Sequence, residues 1–250
     1  MADESLVAGK SVVVFDAYGT LLDVHSAVAR HAGTIGPVAE TLSETWRTKQ
    51  LEYSWVHALM GRYEPFWTLT ERALDHALAR YPQVDPALRG DLLEAYRDLA
   101  AYSEVPATLD RLRVLGLRLA ILSNGDPAML ARAVASAGLG DRLDAVLSVE
   151  AAGTFKTAPP AYALATSHFG AAPDAVLFVS SNRWDIAGAT AFGFASAWVN
   201  RRGMPDEYPG FAPAAVIENL DGLLPDYQAE SFLMRASVDH FVGIPPSASS

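Results

Sequence analysis

The sequence predicts an α/β protein: a doubly wound, Rossmann-like parallel sheet with a helical cap domain inserted after the first strand. Three observations lead there. Short continuous apolar runs recur along the chain with helical stretches between them, the pattern of strands buried on both faces of a parallel sheet. Polar residues able to do chemistry follow directly on the ends of those runs, where doubly wound sheets bind ligands. The segment 24–102 has helical patterns and no convincing strand.

The first run is VVVF at 12–15, and it delivers Asp16 at its end. Segment 24–102 follows, dense in Trp46, Tyr53, Trp55, Tyr63 and Trp67. LRLAIL at 117–122, AVLSV at 145–149, AVLFVS at 175–180 and ASAWV at 195–199 read as further buried strands. AMLARAVASAGL at 128–139 and AYALATSHFG at 161–170 read as helices between them. The expected division is a discontinuous core of residues 1–23 and 103–228, a cap of 24–102, and a loose tail of 229–250 that closes with GIPPSASS.

Half of the 250 residues are apolar, enough for a large core. The absence of cysteine excludes disulfides, thiolate nucleophiles and Cys-ligated metals. Nineteen basic residues against 29 acidic, with no basic run, argue against nucleic acid as a partner. MADESLVAGK lacks the apolar core of a signal peptide, and no apolar run approaches the ~20 residues of a membrane span. A cytoplasmic protein is expected, with no membrane partner.

In FDAYGTLL, Gly19 permits a tight turn and Thr20 can hydrogen-bond the Asp16 carboxylate. A strand-ending Asp that merely caps a turn is the plain alternative. In ETWRTKQLEYSWVHALM, Leu42, Trp46, Tyr53, Val56 and Met60 form one apolar helical face. Arg47, Leu51, Trp55 and Ala58 form a second stripe, which suggests a lined cavity, although an Arg snorkelling over Trp55 would look the same. In SNGDPAML, Asp126 and Pro127 suit the N-cap and first position of the next helix, which leaves Ser123 and Asn124 at the strand end unexplained. Lys156 reads equally as an exposed loop lysine, and Asp185 in SSNRWD as a helix cap. None of the six histidines stands in a metal-ligand spacing, and no nucleophile elbow, Walker loop or dinucleotide fingerprint occurs.

FDAYGTLL, ILSNG, FK and SSNRWD, in that order, resemble the haloacid dehalogenase-like superfamily up to about residue 225. Phosphatases of that superfamily carry DxDxT, whose second Asp protonates the leaving oxygen, and hold Mg²⁺ with acids of the fourth motif. Here Tyr18 replaces the second Asp, and SSNRWD offers Asp185 as its one acid, a poor start for an octahedral magnesium site. Halide leaves without a proton. DAYGTL, WRTKQLEYSW, GRYEPFW and LFVSSNRWD are similar to the L-2-haloacid dehalogenase branch.

That resemblance implies hydrolysis of (S)-2-haloacids to (R)-2-hydroxy acids through an ester on Asp16, with no metal or cofactor; fluoroacetate belongs to the same substrate class. It implies that Arg47 accepts the halide with Asn124, and that Ser123 with amides near Ala17 and Tyr18 binds the substrate carboxylate. Lys156 would sit against the nucleophile, favouring its charged form, and Thr20 would bond it. Ser180, Asn182 and Asp185 would position and activate water. Leu51, Phe66 and Trp184 would line the alkyl pocket. Many relatives have Pro directly after this Lys, where this chain has Thr157; Tyr162 keeps its six-residue spacing. The family is often dimeric, and an aromatic-rich cap is compatible with a homodimer. The rival readings are a Mg²⁺-dependent phosphohydrolase of the superfamily and a non-catalytic binding protein on the same fold.

Overall fold

The computed structural model describes residues 6–225; the expected tail at 229–250 lies outside the described residues. Six parallel strands form one sheet: β1 (Val12–Phe15), β2 (Arg118–Ser123), β3 (Ala145–Ser148), β4 (Val176–Ser180), β5 (Ala195–Val199) and β6 (Ala215–Ile217). Their order is β3-β2-β1-β4-β5-β6, so the direction of winding reverses beside β1. The predicted doubly wound sheet is present, and the reversal opens its crevice at the carboxyl end of β1.

Register aims the chemistry. Phe15 pairs with Ile121 on one side and Val179 on the other, and the Asp16 amide continues the ladder onto the Val179 carbonyl at 2.9 Å. Asp16, Ser123 and Ser180 therefore leave the sheet side by side. β1, β2 and β4 carry the fully buried runs. β3 was expected to be buried but is an edge strand, half-covered, with Val146 exposed. β6 was not expected at all: three residues on the opposite edge make too short a run to signal a strand.

Between β1 and β2 the chain forms short helices α1 (Ser26–Ala29) and α2 (Ala32–Ile35), then α3 (Ala39–Met60), α4 (Phe66–Arg80) and α5 (Arg89–Arg97). The remaining helices are α6 (Val105–Val114), α7 (Pro127–Ser136), α8 (Pro159–Phe169) and α9 (Arg183–Phe192). The apolar face expected of α3 is buried over its first half, at Leu42 and Trp46, whereas Val56 and Met60 are exposed. At 22 residues, α3 outruns the 15-residue α4 it packs against.

Asp126 departs from the expected local cap. It precedes Pro127 at the start of α7, but its side chain bonds nothing in that helix. Instead Oδ1 accepts the Phe66 amide at 2.7 Å and Oδ2 the Trp67 amide at 2.8 Å, so it caps α4, 60 residues away. Asp126→Ala is expected to lower stability by about 1–2 kcal/mol, measured by urea unfolding. A local cap would have been visible in sequence; a cap shared between distant segments is not.

Candidate active site

The turn after β1 is built around the Ala17 carbonyl, which accepts the amides of Thr20, Leu21 and Leu22. Gly19 makes it possible with φ of 94°, and a β-carbon there would lie 3.3 Å from Ser181 Oγ. The Thr20 hydroxyl accepts the Ser181 amide at 2.8 Å and donates to Asp16 Oδ2 at 3.0 Å, so its proton is directed at the carboxylate. Asn182 Nδ2 donates to the same oxygen at 2.8 Å. Lys156 Nζ donates to the other, Oδ1, at 3.1 Å. Both oxygens of Asp16 are thereby held, in a site that leaves the residue 5% exposed.

Lys156 is fully buried, not an exposed loop lysine. Its ammonium stands between two carboxylates, 3.1 Å from Asp16 and 2.8 Å from Asp185, and over the Phe178 ring. Burial alone would lower its pKa; Asp16 and Asp185 outweigh that and raise it above the ordinary lysine value. Asp185 lies inside α9 and does not cap it; Asn182 holds the N-cap position. Its Oδ2 accepts from Lys156, and its Oδ1 from the Tyr162 hydroxyl at 2.8 Å. Burial pushes the Asp185 carboxyl up to about 6, against the lowering by Lys156 and with a further push from Asp16.

Arg47 reaches over from α3. Its guanidinium donates to the Tyr18 carbonyl at 3.1 Å and to Gln50 Oε1 at 2.7 Å. Tyr18 is buried, which raises its phenol well above the ordinary value, and its ring stacks on Tyr96 with centroids 5.7 Å apart. Near neutral pH it stays a neutral phenol, a weaker acid than an ordinary tyrosine.

At the end of β2, Ser123 Oγ accepts the Gly125 amide at 3.1 Å, and Asn124 Oδ1 accepts the Lys156 amide at 3.0 Å. Each therefore keeps a donor for something else: the hydroxyl proton of Ser123 and the NH₂ of Asn124. Ser180 supports the site from below, accepting the Asn182 amide at 3.1 Å. Leu51 and Phe66 are buried, with Phe66 against Phe155. Trp184 meets Trp55 edge-to-face at 5.4 Å, and the two line a cavity of about 380 Å³ with Thr157, Tyr208 and Phe211.

The structure thus joins Asp16, Thr20, Lys156, Asn182 and Asp185 by direct bonds, and links Arg47 and Asn124 through one backbone group each. Tyr162, Ser181 and Gln50 belong to the same network and were not among the residues expected there. The six-residue spacing of Tyr162 from Lys156 was its one sequence signal. Among the described residues, no three histidine or carboxylate groups converge as metal ligands.

A family model for haloacid dehalogenase-like hydrolases matches residues 10–193. The (S)-2-haloacid dehalogenase 1 of Pseudomonas sp. (strain CBS-3) is 48% identical over 201 residues, covering 80% of this chain and 88% of the relative. A crystal structure of a dehalogenase with intermediate complex superposes with a TM-score of 0.85 at 43% identity, covering 87% of this chain and 96% of the other. The L-2-haloacid dehalogenase of Xanthobacter autotrophicus, solved with chloropropionic acid covalently bound, gives 0.80 at 39% identity, covering 88% and 98%.

Proposed function

The chain belongs to the haloacid dehalogenase-like hydrolases, and we propose that it hydrolyses short (S)-2-haloacids to (R)-2-hydroxy acids by way of an ester on Asp16. One observation carries the reading: the position two residues after Asp16 is a buried, neutral phenol, and the space between Asp16 and Asp185 is filled by an ammonium. Tyr18 is a far weaker acid than the carboxylic acid it replaces, and Lys156 supplies the positive charge beside both carboxylates. A halide needs no proton to leave.

In this reading residues 24–102 act as a cap that closes the crevice and places Arg47 over the nucleophile. The Ser123 hydroxyl and amides near Ala17 and Tyr18 hold the substrate carboxylate, while Leu51, Phe66 and Trp184 face its alkyl group. Asp16 attacks C2 opposite the halogen; the C–O bond forms as the C–halogen bond breaks, and the halide departs toward Arg47 and Asn124. Both Asp16 oxygens are held before the reaction, so little reorganisation precedes attack. Water then attacks the ester carbonyl, giving its proton to Asp185, which titrates near 6 and is held by Lys156 and Tyr162. Asn182 orients that water, with Ser180 fixing Asn182 from below. The acyl C–O bond breaks, the departing alkoxide takes the proton back from Asp185, the hydroxy acid leaves inverted at C2, and Asp16 loses its own proton to solvent and is regenerated as the carboxylate.

The proposal includes a cytoplasmic setting and a homodimer. No described helix is long and apolar enough to cross a membrane. The exposed Val56, Leu59 and Met60 of α3 support self-association.

The test is halide release from L- and D-2-chloropropionate with EDTA present, beside fluoroacetate, and an aryl phosphate with Mg²⁺. Release from the L isomer with formation of D-lactate is the expected result. Phosphate release without halide would replace this reading with the phosphohydrolase one, and neither product would favour a binding protein.

A further inference from the structure

Among the described residues no carboxylate forms an ion pair with Arg47, and its hydrogen-bond partners are neutral oxygens: Gln50 Oε1, the Tyr18 carbonyl and the Tyr96 hydroxyl. A guanidinium has five N–H donors, so some remain for an anion, in an orientation those oxygens dictate.

Gln50 is fully buried on α3, one turn after Arg47, and its amide has one possible orientation. Thr70 spends its hydroxyl proton on the Phe66 carbonyl at 2.8 Å, so its oxygen must accept from Gln50 Nε2, which lies 2.6 Å away. Oε1 is thereby turned toward Arg47 at 2.7 Å, while the Tyr96 hydroxyl lies against both ends of the amide, 3.1 Å from Nε2 and 3.2 Å from Oε1. The Tyr96 ring stacks on Tyr18, whose own carbonyl accepts the second guanidinium bond. Arg47, Gln50, Tyr96 and Tyr18 thus close a ring of contacts in which every polar partner is uncharged.

We infer that Gln50 is a positioning residue for Arg47: with Tyr96 and Tyr18 it aims the guanidinium at the departing halide without reducing its charge. The inference rests on the dehalogenase reading above. It also gives Tyr18 a second purpose. The residue that replaces an acid contributes both a ring to the stack and a carbonyl to the clamp. A buried side chain on the apolar side of a cap helix would ordinarily be aliphatic. An amide there, with both ends bonded, leaves Arg47 held and still fully cationic, whereas a Glu would offer it an acceptor, lose the bond to Thr70 and cancel the charge.

The experiment compares Gln50→Leu, Gln50→Glu and Tyr96→Phe with the wild-type enzyme. It measures kcat and KM for L-2-chloropropionate, inhibition by added bromide, and the unfolding midpoint. Gln50→Leu is expected to lower kcat about 10–100-fold and weaken bromide inhibition at least about fivefold, with KM within about threefold. Gln50→Glu keeps an acceptor against Arg47 but loses the donor to Thr70 and pairs the cation, and it is expected to lose more, with kcat down at least about 100-fold and bromide inhibition abolished. Tyr96→Phe, which deletes one hydroxyl, moves both quantities the same way by about three- to tenfold, and carries the test should Gln50→Leu fail to fold. Wild-type kcat and bromide inhibition in Gln50→Glu or in Tyr96→Phe would overturn the inference, as would a fall in unfolding midpoint alone. Absence of halide release from the wild-type enzyme would instead overturn the underlying reading, which the ratios between variants do not address.

Discussion

Asp16→Asn is expected to lower the turnover of L-2-chloropropionate by at least about 10⁴-fold, the scale of losing a nucleophile. The substitution is isosteric: an amide oxygen can still accept from Lys156, and the Thr20 hydroxyl can rotate to accept from the new NH₂, while the Asn182 NH₂, which donates to the same oxygen in the wild type, must turn away. The lost property is the anionic oxygen that displaces halide. The protein is expected to keep its circular dichroism spectrum, with a modest fall in midpoint because Lys156 loses one of its two counter-charges. Mass spectrometry of enzyme quenched during turnover makes the check sharper. Wild type gains the mass of a propionate ester, and the variant gains nothing. A variant that turns over at the wild-type rate, or one that still forms the ester, would remove Asp16 from the mechanism.

Lys156→Met combines the largest expected loss of stability with loss of activity. Its ammonium is fully buried between Asp16 and Asp185, and methionine replaces the volume without the charge. Two buried carboxylates then face each other uncompensated, and breaking such an arrangement typically costs about 3–5 kcal/mol. The loss depends on pH. Asp185 is already raised to about 6 by burial against the lowering from Lys156, and without Lys156 it rises further. An acid raised in the folded state contributes stability that is present at low pH, below the ordinary aspartate value, and lost as the pH climbs through the folded value. The variant should therefore lie closest to wild type near pH 4 and fall furthest behind above pH 6. Urea unfolding of both proteins at pH 5 and pH 8 checks this. An equal deficit at the two pH values would mean that Lys156 acts through packing, not charge. In the wild type, the raised Lys156 value implies a separate loss of stability as pH rises past the ordinary lysine range.

The identity of the site was legible wherever chemistry follows directly on a strand. Asp16 after VVVF, Ser123 and Asn124 after β2, and Ser180 through Asp185 after β4 are adjacent in space because parallel register aligns the strand ends. The sequence resemblance supplied roles for Arg47 and Lys156 that composition and periodicity left open. Thr48 shows the limit of adjacency: next to Arg47 in sequence, it is exposed and lines a different surface cavity with Lys49 and Tyr81. The β6 edge strand and the exposed end of α3 went unread for a related reason. An edge or an overhang is defined by what fails to pack against it, and a single chain of letters does not carry that.

By itself the sequence determined the sheet, the helical insertion, the carboxylate of Asp16 at the end of β1, and the replacement of a second acid by Tyr18. Each of these rests on local pattern: apolar runs of strand length, helical period, and residue types at fixed spacing. Tertiary structure decided that Asp126 caps α4 and not its own helix, that Tyr162 holds Asp185, and that Gln50 orients Arg47 through Thr70 and Tyr96. Those assignments depend on hydrogen bonds between residues 20 to 60 positions apart. A buried donor or acceptor must find a partner once the fold closes, and only the closed fold determines which partner is within reach.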